Sequence, residues 1–245
     1  MSEKIHSLRS GNLVKRYKSA EILRGVSIEV KSSQIVSLLG PNGAGKTTTF
    51  YIICGLVPAT SGEVWLDDRE ISKLSLHERS RLGIGYLPQE SSIFKELSAE
   101  DNLYLAAELA FADNKEEGLN RVEILLEQFN IEHIRARKGV NLSGGERRRV
   151  EIARALVANP KFILLDEPFA GVDPIAVADI QKTIRFLSEQ NIGVLITDHN
   201  VRETLGVCDI AYVLHDGAII ASGAADAVGR DPLVIRHYLG ENYKL

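Results

Sequence analysis

Near the N-terminus apolar and polar positions alternate: Leu13 and Val14 precede Lys15, Arg16 and Tyr17, and Val26, Ile28 and Val30 take every second place. A period of two predicts half-buried antiparallel strands across 8–30, with Tyr17 in a polar loop between them. The segments 35–39, 162–165 and 193–197 are instead short continuous apolar runs, as in parallel strands buried on both faces. Further strands are predicted at 62–66, turned by Asp67-Asp68, at 84–87, ending at Pro88-Gln89, and at 210–214 and 218–221 around an Asp216-Gly217 turn. Helical spacing takes over elsewhere, in Leu103, Ala106, Ala107 and Ala110, then Val122, Leu125, Leu126 and Phe129, then Ile180, Ile184 and Leu187. Ser98-x-x-Asp101 reads as a capping-box start, weakened by Asp in place of Glu, and the polar stretch 112–120 as a surface loop. Strands alternating with helices imply an α/β fold with a mainly parallel sheet. Residues 90–159 read as a helical subdomain inserted into one domain whose strand-rich core comprises 1–89 and 160–245.

Composition narrows the setting. The chain has 245 residues, 44% of them hydrophobic, and a formal net charge of −4, a balance that argues against nucleic acid as a partner. Cys54 and Cys208 are too few for a disulfide framework and read as reduced core thiols. No apolar run reaches membrane-spanning length, and 1–9 lacks a signal-peptide core. The expected location is therefore cytoplasmic, with any membrane work passing through a partner.

The candidate chemistry centres on Gly40-Pro41-Asn42-Gly43-Ala44-Gly45-Lys46-Thr47, of the form G-x-x-x-x-G-K-[ST], lying between the predicted strand 35–39 and a helix that starts at Thr48. Backbone N–H groups of such a loop wrap phosphate oxygens, Lys46 adds a charge for the outer phosphates, and Thr47 offers a hydroxyl to Mg2+. This predicts a nucleoside triphosphate site. Asp166 and Glu167 end the buried run 162–165, where ligands collect in open α/β sheets. Asp166 is placed to hold the metal, and Glu167 to accept a proton from the attacking water. Ser143-Gly144-Gly145-Glu146 opens a further helix. A structural cap would not need two poor helix formers, so exposed N–H groups at this end form a second phosphate site. One chain cannot easily fold this end onto its own 40–47 loop; two chains facing head to tail close two such sandwiches. His199 follows a strand end, where a ligand-facing residue should lie. Arg147, Arg148 and Arg149 read as a solvated or interface face rather than a nucleic-acid contact.

These motifs, with Gln89 and 170–173, fall in the order and spacing of the ATP-binding-cassette family, and the resemblance spans essentially the whole chain. It implies a P-loop NTPase (RecA-like) core with an antiparallel β subdomain and an inserted α-helical subdomain, acting as an ATPase with ATP and Mg2+. Tyr17 reads from the residues either as an edge cap or as a purine stack; the resemblance implies stacking on adenine. Asn42, Gly43, Gly45, Lys46, Thr47 and Thr48 would hold the phosphates, and Gln89 would sense the metal and the attacking water. Ser143, Gly144 and Gly145 would reach the γ-phosphate held by a second copy, Asp173 would tie the two sites together, and His199 would hold the γ-phosphate and orient Glu167. Within the family, the wording of 47–51, 83–90, 146–156, 166–174, 197–204 and 238–245 resembles the ATPase subunits of bacterial lipopolysaccharide exporters. That implies a homodimer beneath two integral membrane subunits, peripheral on the cytoplasmic face of the inner membrane. The apolar Ile93, Phe94 and Leu97 would then receive a partner's coupling helix, unless they belong to the helical core. A soluble cassette ATPase of iron–sulfur assembly and an amino-acid importer's ATPase are the alternatives.

Overall fold

A computed structural model describes residues 4–172 and 174–240. The chain runs β1 (Ser7–Tyr17), β2 (Ala20–Val26), β3 (Glu29–Lys31), β4 (Ile35–Leu39), α1 (Lys46–Cys54), β5 (Ser61–Leu66), β6 (Arg69–Glu70), α2 (Leu76–Arg81) and β7 (Ile84–Leu87). It continues through α3 (Ala99–Ala110), α4 (Lys115–Gln128), α5 (Gly144–Leu156), β8 (Phe162–Asp166), α6 (Pro174–Glu189), β9 (Gly193–Thr197), α7 (Val201–Leu205), β10 (Ile210–His215) and β11 (Ala218–Ala224). Two sheets result. The N-terminal one is antiparallel in the order β2-β1-β5-β6, with β3 also on β1; the other has the order β11-β10-β4-β9-β8-β7 and is parallel except for β11.

The continuous apolar runs explain how the layers stack. Successive side chains of a strand face opposite sides, so β4 sends Val36 and Leu38 to a core shared with the antiparallel sheet and α1. Its Ile35 and Leu39 go to a second core shared with α3 to α6. β8 divides in the same way, Phe162 and Leu164 against Ile163 and Leu165. A strand serving two cores has no polar face, which is why period two disappears from its sequence.

Some elements differ from the sequence reading. Tyr17 is not in a loop; it ends β1 and pairs with Ala20 across a tight turn. The stretch 112–120 is not a loop throughout, because α4 begins at Lys115, where the Asn114 side chain accepts from the Glu117 N–H at 3.3 Å. Its first turn, Lys-Glu-Glu-Gly, carries no apolar stripe and so has no helical period to detect. The Ser98–Asp101 box is complete, Asp101 serving where Glu is usual: Asp101 N donates to Ser98 Oγ at 3.0 Å, and Ser98 N to Asp101 Oδ2 at 3.3 Å. Helix α2 is an addition to the elements predicted; it is shorter than two turns, yet its capping box (Ser75, Glu78) is explicit. It delivers Arg79, 1% exposed, whose guanidinium donates to the Ile52, Ile53, Ser72 and Leu74 carbonyls and so closes the far end of α1. Cys54 and Cys208 are free and buried. Among the described residues no helix is long and apolar enough to cross a membrane.

Candidate nucleotide site

The loop between β4 and α1 stands at the C-terminal edge of the parallel sheet. Gly45 precedes α1 at φ 102°, where a side chain is strained, and a Cβ there would lie 2.5 Å from Leu23 Cδ2. It has no side chain with which to cap α1, so the first-turn amides of the helix point past its end without an intrahelical acceptor. Lys46 is 7% exposed; its ammonium donates to the Gly40 carbonyl at 2.7 Å and the Pro41 carbonyl at 3.0 Å. Burial pushes its pKa down, an effect opposed by the charges of Glu167 and Asp198. Asn42, Gly43 and Thr47 are exposed and Thr48 half-buried along the same rim. An uncapped helix end beside a desolvated cation is a donor set that fits a polyphosphate.

Three neighbouring strands bring a second set of candidate residues together. Because β7, β8 and β9 are adjacent and parallel, their C-terminal ends lie side by side. Gln89 follows β7, Glu167 follows β8 and His199 follows β9, and the three meet. Glu167 Oε2 accepts from Gln89 Nε2 at 2.9 Å and lies 3.2 Å from His199 Nδ1. Glu167 has φ 44° and donates its N–H to the Thr197 carbonyl at 2.7 Å, which turns its side chain off the strand line. Asp166, the last residue of β8, is 4% exposed; burial pushes its carboxyl up to about 6, with Glu167 and Asp198 adding to the rise.

Asp198 is a site residue that the sequence reading omits, although it stands beside His199. Fully buried, it accepts from the Phe169 N–H at 2.9 Å and the Asn200 N–H at 2.8 Å, while Asn200 Nδ2 donates to the Phe169 carbonyl at 3.2 Å. These bonds tie the turn after Glu167 to the strand end that carries His199. The D-x-N spacing of an Asx turn is the available signal.

Among the described residues, no hydrogen bond joins the remaining candidates to this group. Ser143 caps α5: its N–H donates to Glu146 Oε2 at 2.8 Å and its Oγ accepts from the Glu146 N–H at 3.3 Å. Among the described residues no hydrogen bond joins Ser143, Gly144 or Gly145 to the 40–48 loop. Tyr17 is 49% exposed, with Lys15 Nζ 4.7 Å from its ring centre on one face. Asp173 and 241–245, the end of the tail, lie outside the described residues. Ile93 is buried in the helical core, so it cannot itself present surface to a partner; Phe94 is exposed and Leu97 partly so. The Arg154 guanidinium lies 5.2 Å from the Phe94 ring centre. Arg148 does not fit a solvated face either, since it turns inward to the Pro88 carbonyl at 3.4 Å and to Glu151 at 3.3 Å.

The parallel sheet with its glycine loop between β4 and α1 is the fold of a P-loop nucleoside triphosphatase. Residues 23–170 match the family model described as ABC transporter, and the chain belongs to that family. Among curated relatives, the lipopolysaccharide export system ATP-binding protein LptB of Escherichia coli (strain K12) is 55% identical over 239 residues, covering 98% of this chain and 99% of that one. The protein of the same name from Haemophilus influenzae is 56% identical over 238 residues, covering 97% and 99%. Among solved structures, an ATP-binding cassette of an ABC transporter in its ADP conformation matches with a TM-score of 0.87 at 34% identity, covering 96% of this chain and 99% of that one. A dimeric post-hydrolysis cassette bound to ADP and Pi matches with a TM-score of 0.73 at 26% identity, covering 89% and 98%.

Proposed function

We propose that this chain is the ATP-hydrolysing motor subunit of an ABC transporter that drives lipopolysaccharide extraction and export from the inner membrane. The observation that carries the reading is 55% identity across almost the full length of both this chain and LptB of E. coli. The chain works as a pair of copies on the cytoplasmic face of the membrane, beneath two integral membrane subunits.

In this reading Lys46 exchanges the Gly40 and Pro41 carbonyls for phosphate oxygens, and the free amides at the start of α1 take the rest of the charge. Asn42, Gly43, Gly45, Thr47 and Thr48 line the phosphates, and the open face of Tyr17 takes adenine. Asp166, Thr47 and Gln89 would hold Mg2+. A desolvated carboxyl suits a metal that keeps waters and substrate phosphates as most of its ligands. When bound, the ion neutralises charge between the outer phosphates.

Glu167 accepts the proton of the attacking water, with Gln89 and His199 fixing its carboxylate from two sides. Ser143, Gly144 and Gly145 of the second copy complete the γ-phosphate site, and Asp173 links the two sites. Phe94 and Leu97 meet the membrane subunits. Purification of the chain from membranes tests the reading, with two integral membrane subunits expected to accompany it. Glu167→Gln should retain ATP, lose about 10²–10⁴-fold in kcat and accumulate as a closed dimer. Recovery with soluble scaffold proteins alone overturns the transporter reading, and near-normal turnover by Glu167→Gln overturns the assignment of Glu167 as the base.

A further inference from the structure

We propose that Glu151 is a positioning residue for ATP hydrolysis: from the middle of α5 its carboxylate pins the segment after Gln89, so that Gln89 meets Glu167 only while α5 is seated. The inference rests on the ATPase reading above and adds a residue that acts through the Gln89 segment.

Glu151 is 3% exposed. Its Oε1 accepts from Ser91 Oγ at 2.7 Å, from the Ser92 N–H at 2.8 Å and from the Ile93 N–H at 3.2 Å. Its Oε2 accepts from Arg148 Nη1 at 3.3 Å, and that same nitrogen donates to the Pro88 carbonyl at 3.4 Å. One turn further along α5, Arg154 donates to the Ser92 carbonyl at 2.8 Å and to Ser92 Oγ at 2.6 Å. Positions three apart share a helix face, so Arg148, Glu151 and Arg154 form one polar row along α5. Gln89 is thus bracketed by bonds from that row, at Pro88 before it and at Ser91 to Ile93 after it.

The chemistry favours coupling over simple support. Two consecutive N–H groups converging on one anionic oxygen are charge-assisted bonds, stronger and more directional than neutral ones. They fix the backbone path of the segment rather than only its distance from α5. The cap of α5, Ser143, stands about 12 Å from Glu151 at 1.5 Å of rise per residue, with Gly144 next to it. A displacement of that end, carried by a rigid helix, reaches Glu151 and then the Gln89 amide at Glu167. Glu151 therefore connects the end of α5 that this chain lends to its partner's pocket with the Gln89–Glu167 pair of its own pocket.

A double-mutant cycle on the dimeric protein tests this, using Glu151→Gln and Gln89→Ala singly and together. Glu151→Gln keeps an accepting oxygen but loses the charge and the Arg148 ion pair. We expect it to lower kcat about tenfold, within the range of coupling between residues that share one hydrogen-bond network, with KM for ATP within about twofold of wild type. In the Gln89→Ala background the same change should cost nothing further, since Glu151 acts through Gln89. Ser91→Ala removes one donor without stranding a buried charge and runs the same cycle should Glu151→Gln fail to fold. Losses that multiply in the double variants, or an unchanged kcat in the single ones, overturn the proposal. An absence of ATP hydrolysis by the wild-type dimer with its partners would instead overturn the ATPase reading.

Discussion

Two helix ends carry phosphate-type glycine sequences, and the chain treats them in opposite ways. At the start of α1 the fold demands glycine: Gly45 has φ 102°, a Cβ would press on Leu23, and no side chain caps the helix. The cation beside it is buried against two carbonyls. At the start of α5 the fold makes no such demand. A Cβ on Gly144 or Gly145 would meet nothing within 4 Å, and neither residue has positive φ. Ser143 and Glu146 already cap each other there. One end is left unsatisfied by its own chain, so an external anion gains most there. The other is closed and stable alone, with glycines that its own fold does not require.

The largest expected effect tests the unsatisfied end. Lys46→Ala removes the buried ammonium and should abolish measurable ATP binding in an equilibrium assay. The fold should survive, because the lost contacts are two bonds to the loop's own carbonyls. Binding retained within an order of magnitude would mean that the α1 amides alone hold the phosphates. Next comes a matched pair of glycine substitutions. Gly45→Ala combines the clash with Leu23 and a strained φ, so it should cost more than about 1 kcal/mol in a urea melt and lose ATP binding as well. Gly144→Ala should leave stability within about 1 kcal/mol of wild type, if anything higher, because alanine is the better helix former. Its defect should instead be a failure to form the ATP-driven dimer, read by size-exclusion chromatography with Glu167→Gln as the background. Equal stability losses at the two glycines would erase the distinction.

Much of this contrast is legible in the residues. The runs of β4, β8 and β9 are largely apolar, and G-x-x-x-x-G-K-T follows one of them, so the loop and its helix can be placed from sequence. Glu167 and His199 each stand just past an apolar run, and parallel neighbours bring such positions together. Other features have weaker local signals. Helix α2 is too short for periodicity, and the first turn of α4 is polar all round. Ile93 and Phe94 are equally apolar in sequence, yet one is in the core and the other faces solvent, a division that only packing decides. The inward turn of Arg148 within a basic triplet depends on Glu151 and on the Pro88 carbonyl, which is remote along the chain. Long-range polar pairing of that kind leaves no period to read.

Acid titration sharpens the comparison with its smallest effects, because the carboxylates at the two ends move in opposite directions. Burial, with the charges of Glu167 and Asp198, raises Asp166 from 3.8 to about 6 near the α1 end. The folded chain therefore binds this proton more tightly than the unfolded chain does. Ionising Asp166 works against folding, and its contribution worsens as pH rises from about 4 to about 6. Asp166→Asn should raise stability at pH 7.5 by on the order of 1 kcal/mol, since a tenfold difference in proton affinity is worth about 1.4 kcal/mol, and the gain should fade as pH falls towards 4. At the α5 end the Ser143 N–H holds Glu146 below its ordinary 4.5, assisted by the Ser143 hydroxyl and by Arg137. Its contribution is therefore complete above 4.5 and is lost as pH falls through the lowered folded value. Glu146→Gln should lower the melting temperature at pH 7.5 and have progressively less effect below pH 4.5. Melts of both variants across pH 3.5–7.5 should give difference curves of opposite sign that both shrink towards acid. Curves of the same sign would mean that the α1 end is as self-satisfied as the α5 end, and that Asp166 has no need of a cation beside it.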